Sequence, residues 1–302
     1  MRGVNVARKA RLGFACLLGA TALTPFGVAA QTTWVGTTST YTLSSNWNPA
    51  SIPNGTTTAI FSTGGTARII DFSAGHSVSA LQFDATAPAY TFNAFNGAGM
   101  SFFGAGIVNN SASVQTFNAG GINEGIGAAS GFGFNNSATA GNAVFSLSDG
   151  ATINFYDTAS AGTAQISISG VYSGSYTAAT ILNVYGSATL ASATATASSG
   201  ATIVIRATGS GGQARIILDG AESQLYLSLL TSSGTTVGSI EGATGNVILA
   251  NKRLTVGGNN QSTAFGGVIS GSGGTIVKEG AGNWTLSGSN TYTGGTTINA
   301  GT

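Results

Sequence analysis

The strongest constraint on this fold is the spacing of short β-branched runs near the end of the chain. In Gly271–Thr302, three such runs alternate with Gly, Asn and Ser: 275–277, 284–286 and 296–298. Apolar and polar residues alternate within each run, the two-residue period of a half-buried strand. Turns are expected at Gly280, Gly282, Gly288, Gly294 and Gly295. Because strands this short cannot bury a face alone, they indicate stacked rungs of a solenoid.

The same segment resembles a known repeat. From Gly280 to Gly301 it reads GAGNWTLSGSNTYTGGTTINAG, which is similar to the autotransporter-associated β-strand repeat, also called the passenger-associated transport repeat. The resemblance implies an exported β-helical passenger in which 271–302 assists export and folding. It also implies an outer-membrane β-barrel translocator as partner. No series of amphipathic barrel strands occurs within this chain, so we expect either a fragment of a longer gene product or secretion with a different partner.

The first 30 residues have the features of a signal peptide. Arg2, Arg8, Lys9 and Arg11 precede a short apolar run, and Val28-Ala29-Ala30 offers small residues before Gln31. The apolar run is shorter than the ~20 residues of a membrane-spanning helix. Acylation of Cys16 would make the protein a lipoprotein, but the preceding residues form a poor lipobox. We therefore expect export through the periplasm of a Gram-negative bacterium to its surface or medium, with a mature chain starting at Gln31.

Composition narrows the function classes. Four of the ten basic residues lie in the signal segment, which leaves six against nine acidic residues, a formal charge of −3. Such a chain lacks the basic surface of a nucleic-acid-binding protein. Its one cysteine is Cys16, so no disulfide framework is expected in the mature protein. The 47 glycines suggest a disordered linker, but 15 Phe, 8 Tyr and 3 Trp favour an ordered β-structure.

Residues 31–93 are predicted to form a capping module. Trp34, Trp47 and the surrounding aromatic residues would close the open end of a solenoid, whose first rung otherwise exposes its core. The alternative is that exposed tryptophans bind sugars by stacking. This arrangement resembles the segment that precedes such repeats in long bacterial surface proteins.

Residues 94–270 are predicted to form the rungs. No proline occurs after Pro88, as expected of strands paired on both sides. Phe95–Asn136 is the least regular part and reads either as looser rungs with aromatic stacks or as a flexible segment. We expect an all-β, single-chain, right-handed parallel β-helix of about a dozen rungs at ~4.8 Å each, with a β-sandwich as the alternative.

No constellation of catalytic residues stands out. His76 is the only histidine and, following Gly75, is expected to be a solvated turn residue. Asp219 and Glu222, near Arg215, are the closest acidic pair, and one pair in a loop falls short of the clustered carboxylates that glycan chemistry needs. We therefore expect no enzyme activity, no catalytic or cofactor-binding residue, no metal site and no cofactor.

The leading hypothesis is a non-enzymatic surface stalk or adhesin of the autotransporter passenger type, with a host or matrix ligand that the sequence does not identify. Two alternatives stay open: a β-helical polysaccharide-active enzyme, and a self-assembling Gly/Ser-rich extracellular fibre.

Overall fold

The computed structural model describes residues 30–123, 128–173 and 177–302. This part of the chain is all-β, with 48% strand and 1% helix, and its strands stack as a solenoid of about 10 turns. The parallel β-helix expected from the sequence is thereby confirmed, and the β-sandwich is excluded because consecutive rungs pair in parallel. There are fewer turns than the predicted dozen, since some residues form an end cap and two hairpins. Residues 1–29, which include Cys16 and all of the predicted signal segment except Ala30, lie outside the described residues.

The longest sheet, here called the long sheet, has twelve strands. Every pairing in it is parallel except that of the outermost strand, Trp47–Asn48, which runs antiparallel to Gln31–Trp34. The remaining strands in spatial order are Thr58–Phe61, Gly75–Phe83, Gly99–Asn109, Gly131–Phe134, Thr152–Phe155, Ile181–Val184, Thr202–Ile205, Gln224–Tyr226, Asn246–Ile248 and Val268–Ser270.

The second sheet has eight parallel strands. They are Ile69–Phe72, Thr91–Phe95, Thr116–Gly120, Val144–Ser148, Gln165–Ser169, Thr194–Ser198, Arg215–Asp219 and Ser239–Glu241. Two smaller parallel sheets complete the later rungs. The third sheet contains Gly234–Val237, Arg253–Val256, Thr275–Lys278 and Thr296–Ile298, and the fourth contains Thr263–Phe265 and Trp284–Leu286. The one helical element in the described residues is a 3-10 turn, Ser44–Asn46.

Two antiparallel hairpins interrupt the rungs at equivalent places. Ile122–Asn123 pairs with Ala128–Ala129, and Val171–Ser173 pairs with Thr177–Ala179. Each follows a strand of the second sheet and leads into a strand of the long sheet. The rung between them makes the same connection with the dipeptide Asp149-Gly150, whose φ values are 52° and 80°. This turn needs positive φ at both positions, which Asp tolerates and Gly favours.

The core consists of inward columns in which equivalent residues of successive rungs stack. One column of the second sheet contains Ile70, Phe92, Phe117, Phe145, Ile166, Ala195, Ile216 and Ile240. The rings of Phe92 and Phe117 stack with centroids 4.7 Å apart, close to the spacing of parallel strands. In the long sheet, Phe102 stacks on Phe134 at the same distance. The described part of 95–136 is therefore regular rungs with aromatic stacks, while residues 124–127 are outside the description.

The N-terminal end is closed by buried aromatic residues. Trp34 and Trp47 are 0% and 2% exposed, and their rings meet edge to face at 5.0 Å. The indole of Trp47 donates a hydrogen bond to the carbonyl of Tyr41 (2.8 Å). Both tryptophans are buried among aromatic neighbours and have no free face for a sugar. One hydrophobic core runs from Trp34 to Trp284, and the proposed boundary between 93 and 94 falls inside the strand Thr91–Phe95, so cap and rungs share that strand.

Candidate functional site

The terminal segment that resembles a transport repeat continues the solenoid. Thr275–Lys278 pairs in parallel with Arg253–Val256 on one side and with Thr296–Ile298 on the other. Trp284–Leu286 pairs with Thr263–Phe265. These bounds agree with the predicted strands, and the segment is therefore structurally continuous with the preceding rungs.

Trp284 ties this segment to the core. Its side chain is 9% exposed, and its Nε1 donates a hydrogen bond to the carbonyl oxygen of Ile240 (3.0 Å). Thr263, in the intervening rung, donates to the same carbonyl through Oγ1 (3.0 Å). One carbonyl thus receives side-chain donors from the two rungs that follow it. The sequence gives no local signal for this partner, because 44 residues separate Ile240 from Trp284.

Lys278 is a buried cation that the sequence analysis did not single out. It is 2% exposed, and its Nζ donates to the carbonyls of Glu279 (2.6 Å), Gly280 (2.9 Å) and Ala300 (3.2 Å). An ammonium has three donors and no acceptor, so all three are used on backbone oxygens. Ala300 belongs to the following rung, so Lys278 fastens two rungs together from inside. Its alternation with buried Ile276 was the available sequence signal, since it places Lys278 on the inward face.

Polar side chains outside the core join successive rungs at their corners. The Oδ1 of Asn260 accepts from the amide of Ala281 (2.9 Å), and the Oδ1 of Asn290 accepts from the amide of Ile269 (2.9 Å). These bonds satisfy amides at corners, where the strand ladder does not reach. Asn290 of the terminal segment and Asn260 of the rung before it therefore have a structural role.

The glycines of the segment serve two purposes. Gly280 and Gly295 have φ values of 68° and 87°, as expected for turns. At Gly288 the reason is different, since an added Cβ would overlap the carbonyl oxygen of Gly267 in the preceding rung. Gly282 and Gly294 are also confined by close neighbours rather than by positive φ. The sequence located the corners but did not distinguish a sharp turn from a close approach of backbones.

The acidic pair considered for catalysis lies on the surface. Asp219 and Glu222 are both exposed, and Arg215 forms its ion pair with Glu241 in the next rung instead. Across the described ranges, no group of three or more His, Cys, Asp or Glu side chains is placed to hold a metal ion.

His76 is not a turn residue, contrary to the sequence prediction. It lies within the strand Gly75–Phe83 and pairs with Met100, at the head of an inward column that continues with Phe132. Its ring packs against Tyr41 with centroids 5.0 Å apart, and its buried Nε2 has no hydrogen-bond partner in the described structure. Burial lowers the pKa of His76 below its usual value.

None of the helical structure in residues 30–123, 128–173 and 177–302 is long and apolar enough to cross a membrane.

Comparison with known proteins gives a family match for the terminal segment only. No curated protein and no solved structure matches the chain. The rungs before the terminal segment are therefore interpreted from their own geometry. Residues 276–302, which contain Lys278, Trp284 and the last two strands, match the family model described as passenger-associated-transport-repeat, and the chain therefore carries an autotransporter passenger repeat.

Proposed function

We propose that this chain is a non-enzymatic passenger of an autotransporter-type surface protein, in which the β-helix forms a stalk with an adhesive role and the terminal repeat assists export and folding. The match at residues 276–302 carries this proposal. The solenoid supports it, because a rod of parallel rungs presents a long surface while each rung contacts only its neighbours.

The rung-by-rung pairing suggests how the repeat could assist export. A strand that emerges next to a finished rung finds a paired edge and an apolar column on which to stack. Each added strand buries apolar surface outside the membrane. This burial opposes movement of the chain back through the membrane and needs no external energy source. The terminal repeat suits the role of first template because Lys278 and Trp284 fix it internally.

The proposed route of export begins with cleavage of residues 1–30. The mature chain would start at Gln31, the first residue of the strand Gln31–Trp34. Amino-terminal sequencing of the exported protein tests this step. A retained Met1, or an acyl group on Cys16, would contradict it.

The proposed partner in export is an outer-membrane β-barrel translocator, and the proposed location is the cell surface or the medium of a Gram-negative bacterium. The low charge of the mature chain argues against nucleic acid as a partner. Protease treatment of intact cells that express the protein from its own gene tests the location. Cleavage without cell lysis is expected, and protection until lysis would contradict surface display.

The non-enzymatic part of the proposal is supported by the exposure of the two candidate carboxylates and by the pairing of Arg215 with a different residue. Asp219 and Glu222 are exposed, and Arg215 is paired with Glu241. The test is turnover of pectin, alginate and similar glycans by the purified protein. Activity that disappears in Asp219→Ala or Glu222→Ala would favour the polysaccharide-active enzyme instead.

A further inference from the structure

A groove of about 420 Å³ crosses four successive rungs of the long sheet. Its lining comes from Gly75 and His76, from 97–103, from 129–135 and from 152–156. In these strands the side chains of Met100, Phe102 and Phe132 are buried, and the alternate residues face outward. The groove therefore lies on the outer face of the sheet, and its volume falls within the range of small-molecule sites.

The groove exists because outward positions in adjacent rungs lack side chains. At Gly99 and Gly131 the fold itself requires glycine, since an added Cβ would overlap a backbone carbonyl of the next rung. Gly75 is different: no atom lies within 4 Å of an added Cβ, and its φ is not positive. Packing does not require glycine at Gly75, and the missing side chain there leaves that end of the groove open.

Two aromatic rings border the groove. Phe103 is 48% exposed, although a phenyl ring gains by burial. Tyr156 is held firmly, because its ring stacks on Tyr185 with centroids 4.7 Å apart and planes within 15°. The guanidinium of Arg206 covers Tyr185, with its Cζ 5.0 Å from the ring centroid. The outer side chains of three rungs thus fix one border of the groove before any ligand arrives.

The polar groups of the groove are uncharged. Ser101, Asn135, Thr152 and Asn154 line it, and among the described residues that line the groove there is no Asp, Glu, Lys or Arg. His76 also borders the groove, but its ring packs inward against Tyr41. Amides and hydroxyls offer both donors and acceptors, so the groove suits a ligand with many hydroxyl groups and no net charge.

An extended peptide is a poor fit. Peptides that bind sheets usually pair with a free edge through main-chain hydrogen bonds. Here Gly131–Phe134 is paired in parallel on both sides, with Gly99–Asn109 and with Thr152–Phe155. A peptide laid on this face would find its own amides and carbonyls without backbone partners.

We propose that this groove is a binding site for a neutral oligosaccharide, with pyranose C–H faces packed on Phe103 and Tyr156 and hydroxyls bonded to the amide and hydroxyl side chains between them. Four rungs at ~4.8 Å span roughly 15–20 Å, enough for a short run of sugar units. A neutral oligosaccharide would then be the class of ligand bound in the proposed adhesive role. The biological meaning of this site rests on that proposed function.

The first experiment probes the purified full chain on an array that carries neutral gluco-, galacto-, manno- and N-acetylhexosamine oligosaccharides beside uronate, sialylated and sulfated ones. Binding is expected to neutral oligosaccharides. The dissociation constant of the best array ligand is then measured by titration. Absence of binding to every neutral oligosaccharide, or a preference for the anionic ones, would overturn the inference.

The second experiment tests whether the ligand binds in the groove. Phe103→Ser is compared with Phe95→Ser, because Phe95 is 49% exposed but does not line the groove. Loss of one aromatic contact is expected to weaken binding about tenfold in Phe103→Ser and to leave it unchanged in Phe95→Ser. Equal effects of the two substitutions would show that the ligand binds elsewhere.

A third variant closes the groove without removing any contact. Gly75→Leu adds a side chain at a position with free space, and Ser73→Leu adds the same side chain at an exposed position outside the groove. Binding should be lost in Gly75→Leu only, and unfolding curves should match for both. Retained binding in a folded Gly75→Leu protein would overturn the inference. Because binding is measured on purified protein, a failure of surface display would contradict the proposed function while leaving this site intact.

Discussion

The indole Nε1 of Trp284 and the carbonyl oxygen of Ile240 are joined by a 3.0 Å hydrogen bond across 44 residues of sequence. Thr263 lies between them in the stack and donates to the same oxygen. The terminal repeat is thereby fixed to the second sheet as well as to its neighbouring rung. Its stability should consequently depend on a few side chains that reach beyond the strand ladder.

Lys278 is expected to be one of the side chains that stabilise the terminal repeat. Lys278→Met keeps the length of the side chain but leaves the carbonyls of Glu279, Gly280 and Ala300 without their donor. These hydrogen bonds are part-buried, and a bond to a charged donor contributes about 1.5–3 kcal/mol. The loss is partly offset because the apolar thioether no longer has to bury a charge. We expect a net loss of about 2–4 kcal/mol, measured by denaturant unfolding. Hydrogen exchange should locate the loss in the last two rungs.

Lys252→Met is the matched control, because Lys252 is only half-buried and has no hydrogen-bonded partner for its Nζ in the described structure. It should change stability by less than ~0.5 kcal/mol. If both substitutions have the same small effect, Lys278 does not fasten the rungs.

Substitution by Ala should destabilise the protein where glycine allows two backbones to approach closely, and should not do so where the glycine lies in open space. Gly288→Ala is expected to destabilise the terminal rungs strongly, since its Cβ would overlap the carbonyl of Gly267 and the backbone would have to move. Gly75→Ala places its Cβ in free space without positive φ and should be neutral or slightly stabilising. Thermal unfolding of the two variants checks this, and equal melting temperatures would contradict the close stacking of corners.

The N-terminal rungs should weaken on acidification through His76. Its pKa is lowered in the folded protein by burial, so below the unfolded value of about 6.5 the unfolded chain binds the proton more readily. Stability therefore falls as pH drops through that value and is unaffected by this group above it. His76→Leu should remove the part of the pH dependence between about pH 7.5 and 5. Identical pH profiles for wild type and His76→Leu would show that the ring is free to ionise in place.

The sequence predicted those strands whose position depends on residues close by in the chain. The strands Trp284–Leu286 and Thr296–Ile298 were located at their observed bounds, because alternation and flanking turn residues are local signals. His76 was misplaced because the preceding Gly75 suggested a turn, whereas that glycine lies in a strand. The groove was not foreseen, since Gly99 and Gly131 meet only when rungs 32 residues apart are aligned. Contacts between rungs depend on register, which no single repeat encodes.

The most direct test of the central claim is surface display of Trp284→Ser in cells that express the protein from its own gene. Removal of the buried ring should cost about 3–5 kcal/mol, so we expect display to fall and protease sensitivity to spread from the terminal rungs. Trp284→Phe should be milder because it retains most of the apolar contact, and Phe95→Ser, at an exposed ring, should leave display unchanged. Unchanged display and protease resistance in Trp284→Ser would contradict the account and make the terminal repeat a passive spacer.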